Sequence, residues 1–188
     1  MKRIDAGVDD VKTLKRTRGG RERVLAAAAD LFGSRSLAGT SLQMIADRLG
    51  MSKPAIYHHF RSRDDIVAAL MEPVVAEARA AVEAMQGSPE ATRASQTGDF
   101  YRAFLVRHRK VVNMVFFDRA AMPGDLPEVI DELVDAVAVS LAGGRTEAAR
   151  AHGMILVYGM AAFVARTPAI GDDEIARLLA GFDAEGQA

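Results

Sequence analysis

Leu42-Gln43-Met44-Ile45-Ala46-Asp47-Arg48-Leu49-Gly50-Met51-Ser52-Lys53-Pro54-Ala55-Ile56-Tyr57-His58-His59-Phe60 is the stretch that decides how this chain folds. Two short helical patterns flank one glycine. In the first, Leu42, Ile45, Ala46 and Leu49 share one helical face. Gly50 follows, the residue type most at ease at positive φ, so the chain can turn sharply there. Ser52 can cap a second short helix carrying Ala55, Ile56 and Phe60. Pro54 is tolerated in a first turn, where its missing amide has no partner anyway. Ala46 is the small residue where the two helices cross, and Ile56, six positions past the turn, anchors the second on the first. These are the steric demands of a helix-turn-helix, whose second helix can lie across a major groove. An ordinary antiparallel helix pair meets the same three offsets, so spacing alone leaves both readings open.

Working outward, Val24, Leu25, Ala28, Leu31 and Phe32 fall on one face of a preceding helix that Gly33 is expected to stop. Residues 1–20 read as a flexible basic arm, with Lys12, Lys15, Arg16, Arg18 and the adjoining Arg21 clustered and the pair Gly19-Gly20 discouraging a helix. Thr40-Ser41-Leu42-Gln43 fits a capping box with the Thr40 hydroxyl as the cap, and Ser62-Arg63-Asp64-Asp65 fits a second. The second box opens a long helix toward Met85, with Pro73 inside it expected to kink it. The organisation predicted is an arm (1–20), a helix-turn-helix domain (21–66) and a helical domain (67–188).

Beyond Ser88-Pro89, a cap and first-turn proline, helical periodicity continues. Helices are predicted from Asp99 to Lys110, Val111 to Ala121, Pro127 to Leu141 with a stop at Gly143-Gly144, Thr146 to Arg166, and Asp172 to Phe182 with Asp172 as cap. No alternating strand pattern, hairpin signal or internal repeat is visible. The fold class is all-α, about nine helices: an N-terminal three-helix head and a C-terminal helical bundle.

Composition narrows function. The chain has 188 residues and no cysteine, which removes disulfides, thiolate metal sites and cysteine nucleophiles together. The net charge of −1 hides an asymmetry. Residues 1–63 carry thirteen Lys/Arg against six Asp/Glu, and residues 64–188 carry eleven against nineteen, so only the first part suits a polyanion. Residues 1–20 lack the apolar core of a secretory signal. The longest apolar run, Met154 to Ala165, is twelve residues, short of the ~20 that a membrane span needs. A cytoplasmic protein without a membrane partner is the expectation. No metalloprotease, nucleophile-elbow or phosphate-loop motif occurs, so no catalytic residue, metal or cofactor is assigned. Asp172-Asp173-Glu174 suits a helix start, where the dipole favours acids.

The pattern Thr40-x5-Ala46-x3-Gly50-x-Ser52-x4-Tyr57-x-His59-Phe60-x-Ser62-x-Asp64 resembles the DNA-binding signature of the TetR (tetracycline-repressor) family, over about Val24 to Leu70. The resemblance implies a sequence-specific transcriptional regulator: a homodimeric repressor released from a palindromic double-stranded DNA operator by a small apolar effector. The DNA-contact candidates are Arg18, Arg21, Thr40, Ser41, Ser52, Lys53, Pro54, Ala55, Tyr57, His58 and Arg63. Thr40 and Ser41 sit at a helix start, where free amides attract phosphate. Lys53 can reach a phosphate or a guanine edge. Tyr57 can give its hydroxyl to a phosphate, and Arg18, Arg21 and Arg63 can neutralise backbone charge. Adjacent His58 and His59 face different sides of a helix, which disfavours a metal pair. Two departures stand out: Pro54 where the family usually has glycine, and Arg63 where it usually has lysine.

The resemblance also implies a pocket in the helices after about Arg63 and a dimer made by the last two helices. Phe100, Tyr101, Phe104, His108, Met114, Phe117, Met154 and Tyr158 are the pocket candidates, because soft and aromatic side chains line apolar cavities as well as cores. Ile155, Met160, Ile175, Leu178 and Phe182 are the dimer candidates, since the Thr146–Arg166 helix is apolar round most of its circumference and must be covered. A transcriptional activator, a regulator needing no ligand, and a helical adaptor that does not bind DNA remain alternatives at this stage.

Overall fold

The computed structural model describes residues 8–144 and 146–181, with side chains from Gly19 onward. Among them there are nine α-helices, one 3₁₀ turn and no strand. The chain divides at Leu70–Met71 into two compact units.

The first unit holds α1 (Val8–Arg35), α2 (Leu42–Leu49), α3 (Lys53–Tyr57) and the start of α4 (Arg63–Gln86). α1 runs through Gly19-Gly20, where no helix was expected. Interior glycines cost a helix ~1 kcal/mol each but do not forbid it, and Arg, Leu, Glu and Ala surround this pair. Nor does Gly33 stop the helix. α1 ends two residues later, where Ser36 takes φ 77° and its amide returns to the Phe32 carbonyl at 3.0 Å. Val24, Ala28 and Phe32 of α1, Leu37 of the following loop, Ile45 and Ala46 of α2, Ile56 of α3, Phe60, and Ile66 and Val67 of α4 close one apolar core.

Helix ends set these angles. The cap of α2 is Ser41, not Thr40: the Ser41 hydroxyl accepts the Met44 amide at 3.2 Å, while Thr40 is buried and donates to the Ser36 carbonyl at 2.8 Å. Gln43 does not reach back but bonds Asp47 at 2.7 Å. Gly50 closes α2 at φ 62° and ψ 30°, the left-handed conformation a turn of this kind requires. The box at Ser62 forms reciprocally. Ser62 Oγ accepts the Asp65 amide at 3.0 Å, and the Asp65 carboxylate accepts the Arg61 and Ser62 amides at 2.9 and 3.1 Å. Pro73 lies within α4, which is one continuous element.

The second unit comprises the rest of α4, α5 (Glu90–Arg107), α6 (Arg109–Phe117), the 3₁₀ turn Arg119–Ala121, α7 (Leu126–Leu141), α8 (Glu147–Arg166) and α9 (Asp172–Ala180). α5 passes unbroken through Asp99, where a start was expected, and yields to α6 at His108. The cap of α9 is Gly171 rather than Asp172, whose carboxylate instead takes Arg109 at 2.5 Å. Thr146 caps α8 by accepting the Ala149 amide at 3.2 Å.

α8 is long and apolar enough to cross a membrane by length and composition. One face of it, with Gly153, Val157, Met160 and Val164, is buried in the core of this unit beside Tyr101, Leu105, Val137 and Leu141. A Cβ at Gly153 would lie 2.0 Å from the Ala138 carbonyl oxygen, so α7 and α8 touch backbone to backbone there. Arg109 ties the start of α6 to the loop between α8 and α9. It donates to the carbonyls of Ile170 and Pro168 at 2.9 Å each, and of Thr167 at 3.3 Å.

Candidate nucleic-acid interface and apolar cavity

In the head, α3 buries Ile56 and turns the rest of its surface outward. Ser52, Lys53, Pro54, Tyr57 and His58 are exposed, and Ala55 is half-buried. Ser52 occupies the cap position without a side-chain bond, and proline stands in the first turn. Its hydroxyl is therefore not committed to the capping role expected of it. Lys53 Nζ lies 5.9 Å from the Tyr57 ring centroid, so cation and ring share one surface. Tyr57 is 46 % exposed, unusual for a large ring that a purely packing role would bury. Ser41, at the start of α2, is also exposed.

Two candidates, Thr40 and Arg63, stand differently from expectation. Thr40 is only 3 % exposed, and its hydroxyl serves the Ser36 carbonyl, so its side chain does not present to a ligand. The Arg63 guanidinium works within the head. It donates to the Leu37 carbonyl at 3.0 Å and to the Asp64 carboxylate at 3.1 and 3.3 Å. Arg21 is exposed and lies over the Phe60 ring at 5.0 Å, so its charge is held at the head's surface by packing of its flat face. The Arg18 side chain lies outside the described residues. His58 and His59 meet edge to face at 5.5 Å, and among the described residues no group of acids, histidines or cysteines is placed to hold a metal. Partial burial, then His58 and Arg21 nearby, hold the His59 ring below its ordinary pKa.

The second unit holds a half-open apolar cavity of about 330 Å³. Its walls are Met71, Val74 and Val75 of α4; Phe100, Tyr101 and Phe104 of α5; Val115 and Phe116 of α6; Ile130 and Val134 of α7; and Val157 and Tyr158 of α8, among others. Of the pocket candidates, Phe100, Tyr101, Phe104 and Tyr158 lie in this lining. The Tyr101 hydroxyl donates to the Val157 carbonyl at 3.1 Å, and burial, with Tyr158 as the lesser cause, keeps it protonated well above the ordinary tyrosine range.

The other four pocket candidates do not line the cavity. Met114 is buried elsewhere in the core, Met154 packs against the core cluster, and Phe117 points outward at 54 % exposure. His108 gives its Nε2 to Glu77 at 2.8 Å, with Arg107 on the same carboxylate. Its ring packs on Phe104 at 4.7 Å, behind the cavity wall rather than in it. Sequence reasoning missed Arg119, the one charged residue in the lining. It follows Asp118 just after an apolar helix, where a charged pair reads as an ordinary helix end.

Of the dimer candidates, Met160 and Ile175 are buried within the unit and present nothing to a second chain. They were candidates because their helices carry apolar residues in excess, but both side chains belong to the core cluster of this unit. Ile155 is 71 % exposed and Leu178 43 %. Phe182 lies outside the described residues.

A helix-turn-helix with an exposed, basic and hydroxyl-bearing second helix has the geometry of a DNA-binding element, and the second unit adds an apolar cavity. Residues 24–70 match the model of the bacterial regulatory proteins of the tetR family. The HTH-type transcriptional repressor KstR2 of Mycolicibacterium smegmatis is 27 % identical over 109 residues, 57 % of this chain and 53 % of that protein. The chain therefore spans about half the length of this curated relative. A TetR-like regulator from Rhodococcus sp. RHA1 superposes with a TM-score of 0.63 at 26 % identity, covering 85 % of this chain and 91 % of the other. AibR, solved with isovaleryl coenzyme A and operator DNA, gives 0.63 at 19 % identity over 87 % and 97 %, a likeness of fold alone. Residues 24–70 thus resemble the DNA-binding part of tetR-family proteins, and the all-α fold as a whole resembles that of TetR-like regulators.

Proposed function

We propose that this protein is a cytoplasmic, homodimeric transcriptional repressor that holds a palindromic operator through α3 and is released by a small apolar effector. The observation that carries the reading is the outer face of α3, where Ser52, Lys53, Tyr57 and His58 are exposed around a fully buried Ile56. Lys53 and Tyr57 suit phosphate and base edges, and Ser41 suits a phosphate at the α2 terminus. The cavity supplies the effector site, and Ile155 with Leu178 supplies an uncovered apolar face for the second copy. KstR2 is named a repressor, and AibR was solved with both an acyl coenzyme A and operator DNA. Release then follows from linkage: an effector that favours a conformer with misplaced reading helices lowers operator affinity by the same factor.

The test is a footprint on the DNA flanking its own gene, with a reporter for direction. A protected inverted repeat, resistant to unrelated competitor DNA and lost in Lys53→Ala, is expected, with reporter output rising when the protein is removed. Sequence-indifferent binding would mean an adaptor, and falling output would mean an activator.

A further inference from the structure

Resting on the reading of the cavity as an effector site, we propose that its ligand is an amphiphile: an apolar body of medium length carrying one anionic end, which docks on Arg119. The residues lining the cavity are aliphatic or aromatic apart from Arg119, with Tyr101 and Tyr158 the ones among them that carry a hydroxyl. The Tyr101 hydroxyl is committed to the Val157 carbonyl, so it does not orient a ligand. At ~30 Å³ for each water-sized volume, the cavity has room for about ten methylene-sized groups. The body of the ligand is therefore a hydrocarbon chain or a compact ring system.

Arg119 determines the other end. Its side chain is 27 % exposed, partly drawn out of solvent, where a cation is best kept paired. Its Nη2 donates to the Pro127 carbonyl and forms an ion pair with the Asp131 carboxylate at 2.5 Å. Asp131 is the weak member of this arrangement: its side chain is 61 % exposed, and such solvated pairs contribute little. A carboxylate or phosphate held by the cavity would be desolvated on one side and would pair with the planar guanidinium more strongly than Asp131 does. A neutral ligand would gain only an ordinary hydrogen bond from Arg119, without the charge assistance. Ligand entry thus exchanges one acid for another, and Asp131 on α7 is released to solvent.

The experiment is calorimetric titration of the full chain at pH 7.5 with decanoate, 1-decanol and decanoyl-coenzyme A. Decanoate is expected to bind about tenfold more tightly than decanol, the scale of one charge-assisted hydrogen bond. Arg119→Gln should bring decanoate down to the decanol level while leaving decanol unchanged, which shows the fold is intact. Asp131→Asn should tighten decanoate, because the competing acid is gone. Binding of the thioester alone, with the same dependence on Arg119, would place the anion in its phosphates and keep the chemistry proposed. Equal affinity for decanol and decanoate, or a preference that survives Arg119→Gln, overturns the anionic end but leaves the effector cavity standing. If none of the three binds, the cavity reading falls with it, and the footprint decides the DNA-binding reading separately.

Discussion

Two residues of the head show how small displacements decide roles. Ser41 rather than Thr40 caps α2, so Ser41→Ala should cost about 1 kcal/mol by urea denaturation. An unchanged midpoint would mean that the Met44 amide is satisfied by water. His59 makes the head sensitive to pH. Its ring is lowered in the folded chain, mainly by burial, so the folded state favours the neutral form. The unfolded chain takes up the proton first as pH falls through about 6.5. The stability from this residue is therefore full above that value and is lost below it. The thermal midpoint should drop further between pH 7.5 and 5.5 in the native chain than in His59→Gln; equal drops would assign the sensitivity elsewhere.

Helices were legible where periodicity and caps agreed, and less so where tertiary contacts overruled them. The glycine at position 50, the reciprocal Ser62–Asp65 box and the Thr146 cap are local devices, and each acts as its spacing indicates. Gly33 and Asp99 look like boundaries but lie inside α1 and α5, because packing of the flanking apolar face outweighs one unfavourable residue. The cavity was harder to read. Four aromatic walls could be named, but His108 and Phe117 share their periodicity and face other surroundings, and only three-dimensional packing separates them. Gly153 carries information that sequence alone hides, since its closeness to Ala138 is a property of two helices. Gly153→Ala should force α7 and α8 apart and destabilise the chain by about 1–3 kcal/mol in chemical denaturation. A neutral result would show that the crossing has slack.

For the molecule as a whole, charge separates the two units as clearly as packing does. The basic share lies in the stretch that supplies the head, and the acidic share belongs with the helices that enclose the cavity. That distribution favours one mode of approach to a polyanion. The proposed dimer depends on Ile155, the most exposed of the large apolar residues. Ile155→Asp should give a 20 kDa species in sedimentation and weaken operator binding, while leaving helix content unchanged. A variant that still sediments as a dimer would move the interface elsewhere.

Ile175 and Leu179, near the C-terminal limit of the described chain, are fully buried against Tyr101 and Leu105, and Arg109 waits for carbonyls that lie about sixty positions ahead of it. The head core, by contrast, is complete once Val67 has been made. During synthesis at ~10 residues per second, the head can close roughly ten seconds before the cavity-bearing unit acquires its last wall. On the ribosome, a nascent chain thus passes through an interval with a finished N-terminal unit and an unfinished cavity-bearing one. Nascent chains arrested before Ile175 should resist protease up to about Leu70 and be cut freely beyond it.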